Sequence, residues 1–334
     1  MKKFSSVLIA MATIMIIYCF ICIIPAIQSE KETQNSSASS STVSEDDGLH
    51  AIECDNISAT INPKSRFTAL DPSEYYQYSL LNDVEKKIYG KINEAVKKCE
   101  ISVDISQYAV DYNRAIDLVQ IFMADNPQYF YLSKYINVTH FADSDTANEI
   151  RLLYTDGTVT DKITNHTLTV QADRAAIERQ IDEFNGLISE VLSTIPENLS
   201  QSHCEKIIHD YIATNITYDT EVANADDDNN TQYRRAYDAY GAICEKKAVC
   251  EGYSKLFQYL CYCVGINANQ VIGEGNGGSH MWNVVQISGK WYHIDVTWAC
   301  PKNGSNIYYD YYNIPWYKMS IDHTITCDYL AVPS

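Results

Sequence analysis

The sequence is poor in positive charge and lacks the cysteine spacing of a structural metal site. Its 334 residues carry 25 Lys and Arg against 43 Asp and Glu, a formal net charge of −18. Such a surface repels phosphate backbones, so we expect no nucleic-acid partner. Beyond the first thirty residues no two cysteines have CxxC spacing, which argues against zinc. We therefore expect neither a metal nor a cofactor.

Charge is also missing from one long N-terminal stretch. Val7 to Ile27 is an uncharged apolar run preceded by Lys2 and Lys3, roughly long enough to span a bilayer. A small-residue cleavage pattern is poorly developed after it, which favours an anchor over a removed signal. We assign residues 1–28 to this anchor or signal segment, and both interpretations place the body of the protein outside the cytoplasm, membrane-anchored or secreted.

The remaining chain divides into three parts. A Ser-rich and acidic segment, residues 29–65, is typical of a flexible stalk. Residues 66–195 alternate helical patterns with three short β-type patterns between positions 135 and 171, and predict a mixed, mainly helical domain. This domain has no chemical signature. Residues 196–334 form the last part, and here candidate functional residues are concentrated.

Cys250 lies in the stretch KKAVCEGYSKLFQYL, residues 246–260. The apolar side chains that follow it recur at helical spacing, which places Cys250 at or just before the start of a helix. Exposed N–H groups at a helix start stabilise an anion, and a thiolate there is a good nucleophile. Cys261 and Cys263 lie inside the helix and are expected to be packing residues. Three fates remain open for Cys250: packing, a disulfide for which Cys244 is the nearest partner, or nucleophilic attack.

A predicted hairpin supplies a base for such a nucleophile. Its strands meet at Ser288-Gly289, and with a two-residue turn Ile287 faces Lys290. His280 and Asp295 then become diagonal neighbours on one face, roughly 7 to 8 Å apart at their Cα atoms. That separation suits a hydrogen bond in which the carboxylate orients the imidazole. We expect this face to lie away from the core, and a slip of one residue would separate the pair.

These residues occur in blocks that resemble a known family, the transglutaminase-like superfamily, in its exported bacterial branch. The blocks are AYGAICEKKAVCEGYSKLFQYLCYCVGI, SHMWNVVQISGKWYHIDVTW and YYDYYNI, and the resemblance covers about residues 200 to 325. It implies an α+β fold with a papain-like core, in which the helix bearing the nucleophile packs on an antiparallel sheet. It also implies Cys250 as nucleophile, His280 as general base and acid, and Asp295 as the orienting residue. The backbone N–H of Cys250, and Tyr240 just upstream, are the expected oxyanion donors.

The chemistry implied by this resemblance is acyl transfer on peptide or glutamine amides through a thioester. The product would be that of a cysteine protease, a deamidase or a transamidase, acting on a peptide, protein or cell-wall peptide. Two other classes stay open. One is a catalytically silent relative used as a surface binding module, and the other is a structural ectodomain stabilised by disulfides.

Overall fold

The structure, a computed structural model, describes residues 61–134, 137–141, 144–156, 173–224, 235–301 and 306–333. The predicted anchor or signal segment and nearly all of the stalk lie outside these residues. The last of the three β-type patterns, at 166–171, also lies outside them. Over the described residues, no helix combines the length and the apolar composition needed to cross a bilayer.

Helices predominate between residues 66 and 195, with a small sheet beside them. The helices are α1 (Tyr76–Leu80), α2 (Asp83–Lys98), α3 (Tyr112–Asp125) and α4 (Arg174–Thr194). The strands are β1 (Ser102–Asp104), β2 (Asn137–His140) and β3 (Ala147–Arg151), paired antiparallel in the order β1-β3-β2. Local sequence explains where α2 begins, because Asn82 caps it and Glu85 reaches back to the Asn82 N–H in a capping box.

The second half of the chain builds an antiparallel sheet against one long helix. Its helices are α5 (Gln201–Asn215), α6 (Thr220–Ala223), α7 (Cys250–Cys263) and α8 (Trp316–Met319). Its strands are β4 (Thr217–Tyr218), β5 (Lys247–Ala248), β6 (Ala268–Gly275), β7 (Gly278–Ile287), β8 (Lys290–Ile294) and β9 (His323–Ile325). The main sheet has the order β8-β7-β6-β9, and α7 packs on β6 and β7. This is the α+β arrangement of a helix on an antiparallel sheet that the sequence predicts.

One buried cluster of side chains joins the two halves. Tyr75 stacks on Tyr262 of α7 with ring centroids 4.2 Å apart, and Phe184 of α4 stacks on Tyr259 at 5.3 Å. Aromatic contacts of this kind add to the area that the rings bury. The long helix α7 is therefore held from both sides, by the sheet and by the N-terminal helices. The domain boundary at residue 195 stays a prediction.

The expectation that the His280 face of the hairpin lies away from the core is wrong. Trp282 and Val284, on that face of β7, are fully buried and pack with Val271 and Met319 in a second cluster. Met319 comes from α8, more than thirty residues after Val284, so the cover is supplied by a distant segment. Both faces of the sheet are therefore shielded, and His280 lies in a dry environment.

Candidate active site

Cys250 is the first residue of α7, as its sequence predicts. Val249 precedes it in the capping position, with extended backbone and no side-chain hydrogen bond to the helix. The amide groups of the first turn are therefore not closed by a cap. Gly252 lets the chain pack tightly here, since a Cβ at this position would lie 2.6 Å from the carbonyl oxygen of Ala236. The thiol is half-buried and lies at the N-terminal end of α7.

The hairpin of β7 and β8 has the predicted turn and register. Ser288 and Gly289 have φ of 51° and 78°, which is the left-handed conformation that a tight two-residue turn requires. Ile287 pairs with Lys290, and the pairing continues to Asn283 and Ile294. Asp295 follows directly after the last paired residue and remains on the His280 side.

His280 and Asp295 are joined by a hydrogen bond. His280 Nε2 lies 2.8 Å from Asp295 Oδ2, with the histidine 7% and the aspartate 1% exposed. The second carboxylate oxygen, Oδ1, accepts from the N–H groups of Thr297 and Trp298 at 2.9 and 3.3 Å. The Cys250 thiol lies near enough to the His280 ring to raise the pKa of the imidazole. The three predicted residues therefore meet in the order thiol, imidazole, carboxylate.

The charges of the pair follow from its contacts. Burial disfavours a charged imidazole, but hydrogen bonds to Asp295 and Cys250 outweigh it and raise the pKa of His280 to about 10. Burial likewise disfavours the ionised carboxyl, yet the hydrogen bond to His280 and the His323 ring 3.5 Å away hold the pKa of Asp295 below its usual value. At neutral pH the site therefore contains an imidazolium beside an ionised carboxylate.

The His280 ring is held in a narrow slot. It stacks on Trp298 with ring centroids 5.1 Å apart. On the neighbouring strand, a Cβ at Gly275 would lie 2.9 Å from the His280 ring and 3.0 Å from the Trp298 ring. Glycine is therefore needed at position 275 so that the imidazole can lie flat between the strand and the indole.

Sequence reasoning missed His323, which also contacts Asp295. Its Nε2 lies 3.5 Å from Asp295 Oδ2, its Nδ1 lies 2.7 Å from Asp322 Oδ1, and the side chain is buried. His323 reaches the site because β9 pairs with β6 and places this residue opposite Gly275. The strand has three residues, too few for a β pattern to be recognised in the sequence.

Tyr218 is a second residue that sequence reasoning missed. It ends β4, which pairs in parallel with β5 so that Tyr218 lies opposite Ala248, two residues before Cys250. Burial raises the pKa of the Tyr218 hydroxyl to about 12, and the charges of Cys250 and Asp295 add to the effect. The phenol is therefore a neutral hydrogen-bond donor beside the thiol.

Tyr240 has a different partner from the one predicted for it. Its hydroxyl donates to Glu183 Oε2 at 2.6 Å, and its ring packs on Phe130 with centroids 4.8 Å apart. The Tyr240 hydroxyl, which the sequence suggests as a donor to the oxyanion, thus donates to a carboxylate on α4. Tyr240 instead ties α4 to the segment that precedes α7.

The disulfide alternative for Cys250 is not what the structure contains, because Cys244 and Cys250 are both free thiols. Burial raises the pKa of Cys244 to about 12, so that thiol is protonated at neutral pH. Cys261 and Cys263 are buried inside α7, as expected of packing residues, and burial raises the pKa of both.

Among the residues that the structure describes, one group of side chains has the composition of a metal site. The ligand atoms of His280, Asp295 and His323 all lie within 4.8 Å of one another. A zinc ion bonds nitrogen and oxygen at about 2.0 to 2.2 Å, so it would have to replace the hydrogen bond between His280 and Asp295. Metal binding here would therefore compete with the thiol–imidazole–carboxylate arrangement.

Comparison with known proteins agrees with this geometry. The family model of the transglutaminase-like superfamily matches residues 194–296, which include Cys250, His280 and Asp295. The region that contains the three predicted site residues is therefore similar to this superfamily. The α+β core with its helix on an antiparallel sheet is thus the transglutaminase-like fold, and the region before it is mainly helical.

Individual relatives are distant and cover only part of the chain. The mouse kyphoscoliosis peptidase is 28% identical over 128 residues, 35% of this chain and 18% of that protein. The human kyphoscoliosis peptidase is 26% identical over 144 residues, 40% of this chain and 20% of that protein. The matches thus span about a fifth of the length of these relatives. A crystal structure described as a TGase is 21% identical, with 54% of this chain and 48% of that chain covered and a TM-score of 0.33.

Proposed function

We propose that this protein is a cysteine-dependent acyltransferase or hydrolase that acts on peptide or glutamine amides. The observation that carries the proposal is the contact of His280 with Asp295 at 2.8 Å and with the Cys250 thiol at the start of α7. A nucleophile, a base and an orienting group joined in this order form the arrangement that covalent acyl transfer requires.

The reaction begins with the Cys250 thiolate attacking the carbonyl carbon of the amide. The carbonyl oxygen becomes an oxyanion, and the His280 imidazolium then gives its proton to the leaving amine as the C–N bond breaks. A thioester on Cys250 remains. Water or an amine attacks this thioester, His280 accepts the proton of the attacking group, and the thiolate is released. Asp295 holds the imidazole in the orientation needed for both transfers.

Two donors near Cys250 suit the oxyanion. The first is the Cys250 backbone N–H, at a helix start where amide groups have no carbonyl partner within the helix. The second is the Tyr218 hydroxyl, which takes the role that the sequence suggests for Tyr240. Because the Tyr240 hydroxyl donates to Glu183, a Phe substitution there removes an interaction of α4 and not of the thiol.

The proposed substrate class comes from the predicted location of the protein outside the cytoplasm, beside the membrane. We propose a peptide, a protein or a cell-wall peptide as substrate, outside the cytoplasm, with residues 1–28 as the membrane attachment. Residues 66–195 would form a domain that supports α7 and positions the substrate. Two relatives bear the name peptidase, which favours water over an amine as the acceptor.

The test uses the purified chain and a peptide library, with and without a labelled primary amine. Mass spectrometry distinguishes cleavage, deamidation and cross-linking, and we expect one of the three in the wild type and none in Cys250→Ala. Cys244→Ala removes another half-buried thiol and should retain activity. Full activity in Cys250→Ala would contradict the assignment of Cys250 as the nucleophile. A wild type that modifies no peptide, with Cys250 no more reactive to iodoacetamide than Cys244, would support the binding-module alternative.

Substitution of Tyr218 and of Tyr240 tests which tyrosine donates a hydrogen bond to the oxyanion. We expect Tyr218→Phe to lower kcat by about 10²-fold, which is typical of losing one such donor, with little change in KM. Tyr240→Phe should have a much smaller effect on kcat. A larger loss in Tyr240→Phe would return the role to Tyr240.

A further inference from the structure

The segment YYDYYNI, residues 308–314, lies beside the backbone that carries Asp295 and is termed the brace. The N–H of Asp295 donates to the carbonyl oxygen of Tyr311 at 3.0 Å. His293, at the end of β8, and Ile314 exchange both of their backbone hydrogen bonds, at 2.8 and 2.9 Å. The brace therefore fixes the main chain from which the Asp295 carboxylate projects.

The helix α5 holds the brace through a buried carboxyl group. Glu205 of α5 is fully buried. Its Oε2 accepts a hydrogen bond from the Tyr312 hydroxyl and another from the side-chain amide of Asn313, which is 3.0 Å away. Its Oε1 has no hydrogen-bond partner among the residues that the structure describes. Two donors of the brace thus converge on one oxygen of a buried acid, and the loss of either would leave that acid poorly paired.

A second contact between α5 and the brace is open to solvent. The Tyr309 hydroxyl accepts from Lys206 Nζ at 2.8 Å and donates to Asp210 Oδ1 at 3.0 Å, and Tyr309 is 42% exposed. Interactions of exposed charged groups contribute little, because water and salt screen them. Two tyrosine hydroxyls of the brace therefore bind the same helix, one at a buried acid and the other near solvent.

The charge state of Glu205 suits a side chain that acts through hydrogen bonds. Burial raises its pKa to about 7, although the hydrogen bonds from Tyr312 and Asn313 favour the carboxylate. The charge of Asp210 adds to the rise and that of Lys206 opposes it. The neutral acid is therefore present beside the anion at neutral pH, so an uncharged amide is a suitable replacement for this side chain.

We propose that Glu205 is a positioning residue of the active site, which holds Asp295 in place through the brace. The hydrogen bonds of Tyr312 and Asn313 fix the brace on α5. The carbonyl group of Tyr311 then fixes the backbone of Asp295.

This inference rests on the proposed function, because Asp295 serves the reaction as the partner of His280. Its carboxylate must stay within hydrogen-bond reach of the imidazole, and a displacement of about 1 Å in such an arrangement can cost about 10²-fold in rate. The brace also supports the other side of the imidazole. The ring of Tyr311 packs on Trp298, the indole that stacks on His280, with centroids 4.9 Å apart.

The experiment measures backbone hydrogen exchange in the full chain without any substrate. Tyr312→Phe leaves the buried Glu205 with one donor fewer, so the brace should open more often. We expect deuterium uptake at the Asp295 amide, followed by mass spectrometry, to become at least about fivefold faster. Tyr309→Phe removes a hydroxyl from the same segment and should change this rate by less than about twofold. Amides of the β6–β7 pairing should exchange at the wild-type rate in both variants, since the effect is local.

Two substitutions of Glu205 separate its hydrogen bonds from its bulk. Glu205→Gln keeps a carbonyl oxygen that accepts from both donors of the brace, so the Asp295 amide should exchange within about twofold of the wild-type rate. Glu205→Leu fills a similar space and accepts no hydrogen bond, so exchange should be as fast as in Tyr312→Phe or faster. With a peptide substrate, kcat should fall about tenfold in Glu205→Leu and little in Glu205→Gln, with KM nearly unchanged in both.

The outcomes separate this inference from the proposed function. A folded Tyr312→Phe with wild-type exchange at Asp295 overturns the role of Glu205, and so does a Glu205→Gln that exchanges as fast as Glu205→Leu. A chain that modifies no peptide would count against the proposed function. The exchange rates would still decide whether Glu205 holds Asp295.

If Tyr312→Phe fails to fold, Asn313→Gly decides in its place. Asn313 has φ of 51°, and glycine keeps this left-handed backbone while removing the other donor to Glu205. We again expect exchange at Asp295 to become at least about fivefold faster. Asn198→Gly, at φ of 62° in the link between α4 and α5, is the matched control and should change the rate by less than about twofold. Equal rates in the two glycine variants would overturn the inference.

Discussion

Asp295 and Asp125 are equally shut off from water, but their carboxyl groups behave in opposite ways. Asp295 contacts two histidines, and its pKa lies below the usual value. Asp125, at the end of α3, has its pKa raised by burial to about 8. Both side chains are at most 1% exposed. Burial alone therefore does not set the charge of an acid in this protein, and the neighbouring groups decide it.

Neutral groups surround Asp125. Its Oδ2 accepts from the Tyr78 N–H at 2.9 Å and from the Tyr89 hydroxyl at 3.4 Å. Its Oδ1 has no hydrogen-bond partner among the residues that the structure describes. A protonated acid fits this environment better than an anion, because an unpaired buried charge is costly. Asp125 thus stabilises packing in the first half of the chain, whereas Asp295 supplies charge in the second.

The largest effect expected from this comparison is on activity. Asp295→Asn should lower kcat/KM for the best library peptide by about 10³-fold, because an amide nitrogen would face His280 and favour the wrong tautomer. Asp125→Asn serves as the matched substitution and should change kcat/KM by less than about threefold. Similar losses in both variants would mean that the two carboxylates act through stability alone.

The second effect is on the pH dependence of stability. The pKa of folded Asp125, about 8, exceeds the unfolded value near 3.8, so its protonated form stabilises the fold fully below that lower value. This contribution falls as the pH rises towards 8. Between pH 4 and pH 8, urea denaturation should therefore show Asp125→Asn gaining at least about 2 kcal/mol in unfolding free energy relative to the wild type.

For Asp295 we expect the reverse dependence of stability on pH. Its folded pKa is lowered, so its contribution to stability is present above pH 4 and is lost as the pH falls. Asp295→Asn should therefore lose more stability relative to the wild type at about pH 6 than at about pH 2. Parallel pH curves for the two variants would contradict the contrast between these carboxylates.

The smallest effect on activity is expected from a substitution in the slot that holds the His280 ring. A methyl group at position 275 would press on the His280 and Trp298 rings, so Gly275→Ala should displace the imidazole and lower kcat about tenfold. Gly278→Ala is the control on the same hairpin, since its Cβ would lie 3.9 Å from the nearest atom, an ordinary contact. Iodoacetamide labelling and thermal unfolding should show that Gly275→Ala remains folded. Equal activity in the two variants would show that the slot tolerates a methyl group.

The start of α7 and the turn of the β7–β8 hairpin agree with their predictions because both depend on local sequence. The apolar stripe after Cys250 fixes the helix start, and Ser288-Gly289 fixes the turn and hence the faces of β7 and β8. His323 was not predicted, because a strand of three residues is identified only by its pairing with β6. The burial of the His280 face is not predicted for the same reason, since Met319, which packs on this face, comes from α8, far along the chain. Contacts between distant segments leave no periodic signal in the sequence.

The N-terminal half shows the same limit. The helix α4 can be recognised from the sequence, because its buried side chains, among them Ile177, Ile181 and Phe184, recur at helical spacing. The unusual state of Asp125 was not predictable, because an aspartate at the end of an amphipathic helix is normally solvated. Only the packing of Tyr78 and Tyr89 around it shuts out water.

Val249 has a consequence for anyone who would strengthen the start of α7 with a helix cap. Valine is among the poorest residues at a capping position, and Asp or Ser in such a place typically contributes about 0.5 to 2 kcal/mol to stability. Val249, however, is 4% exposed and packs with Val222 and Ala236, so a polar side chain there would lose this packing and be taken out of water. A capping side chain would also occupy the amide groups at the start of α7, and an aspartate would repel the thiolate. Libraries selected for heat resistance should therefore keep position 249 fixed.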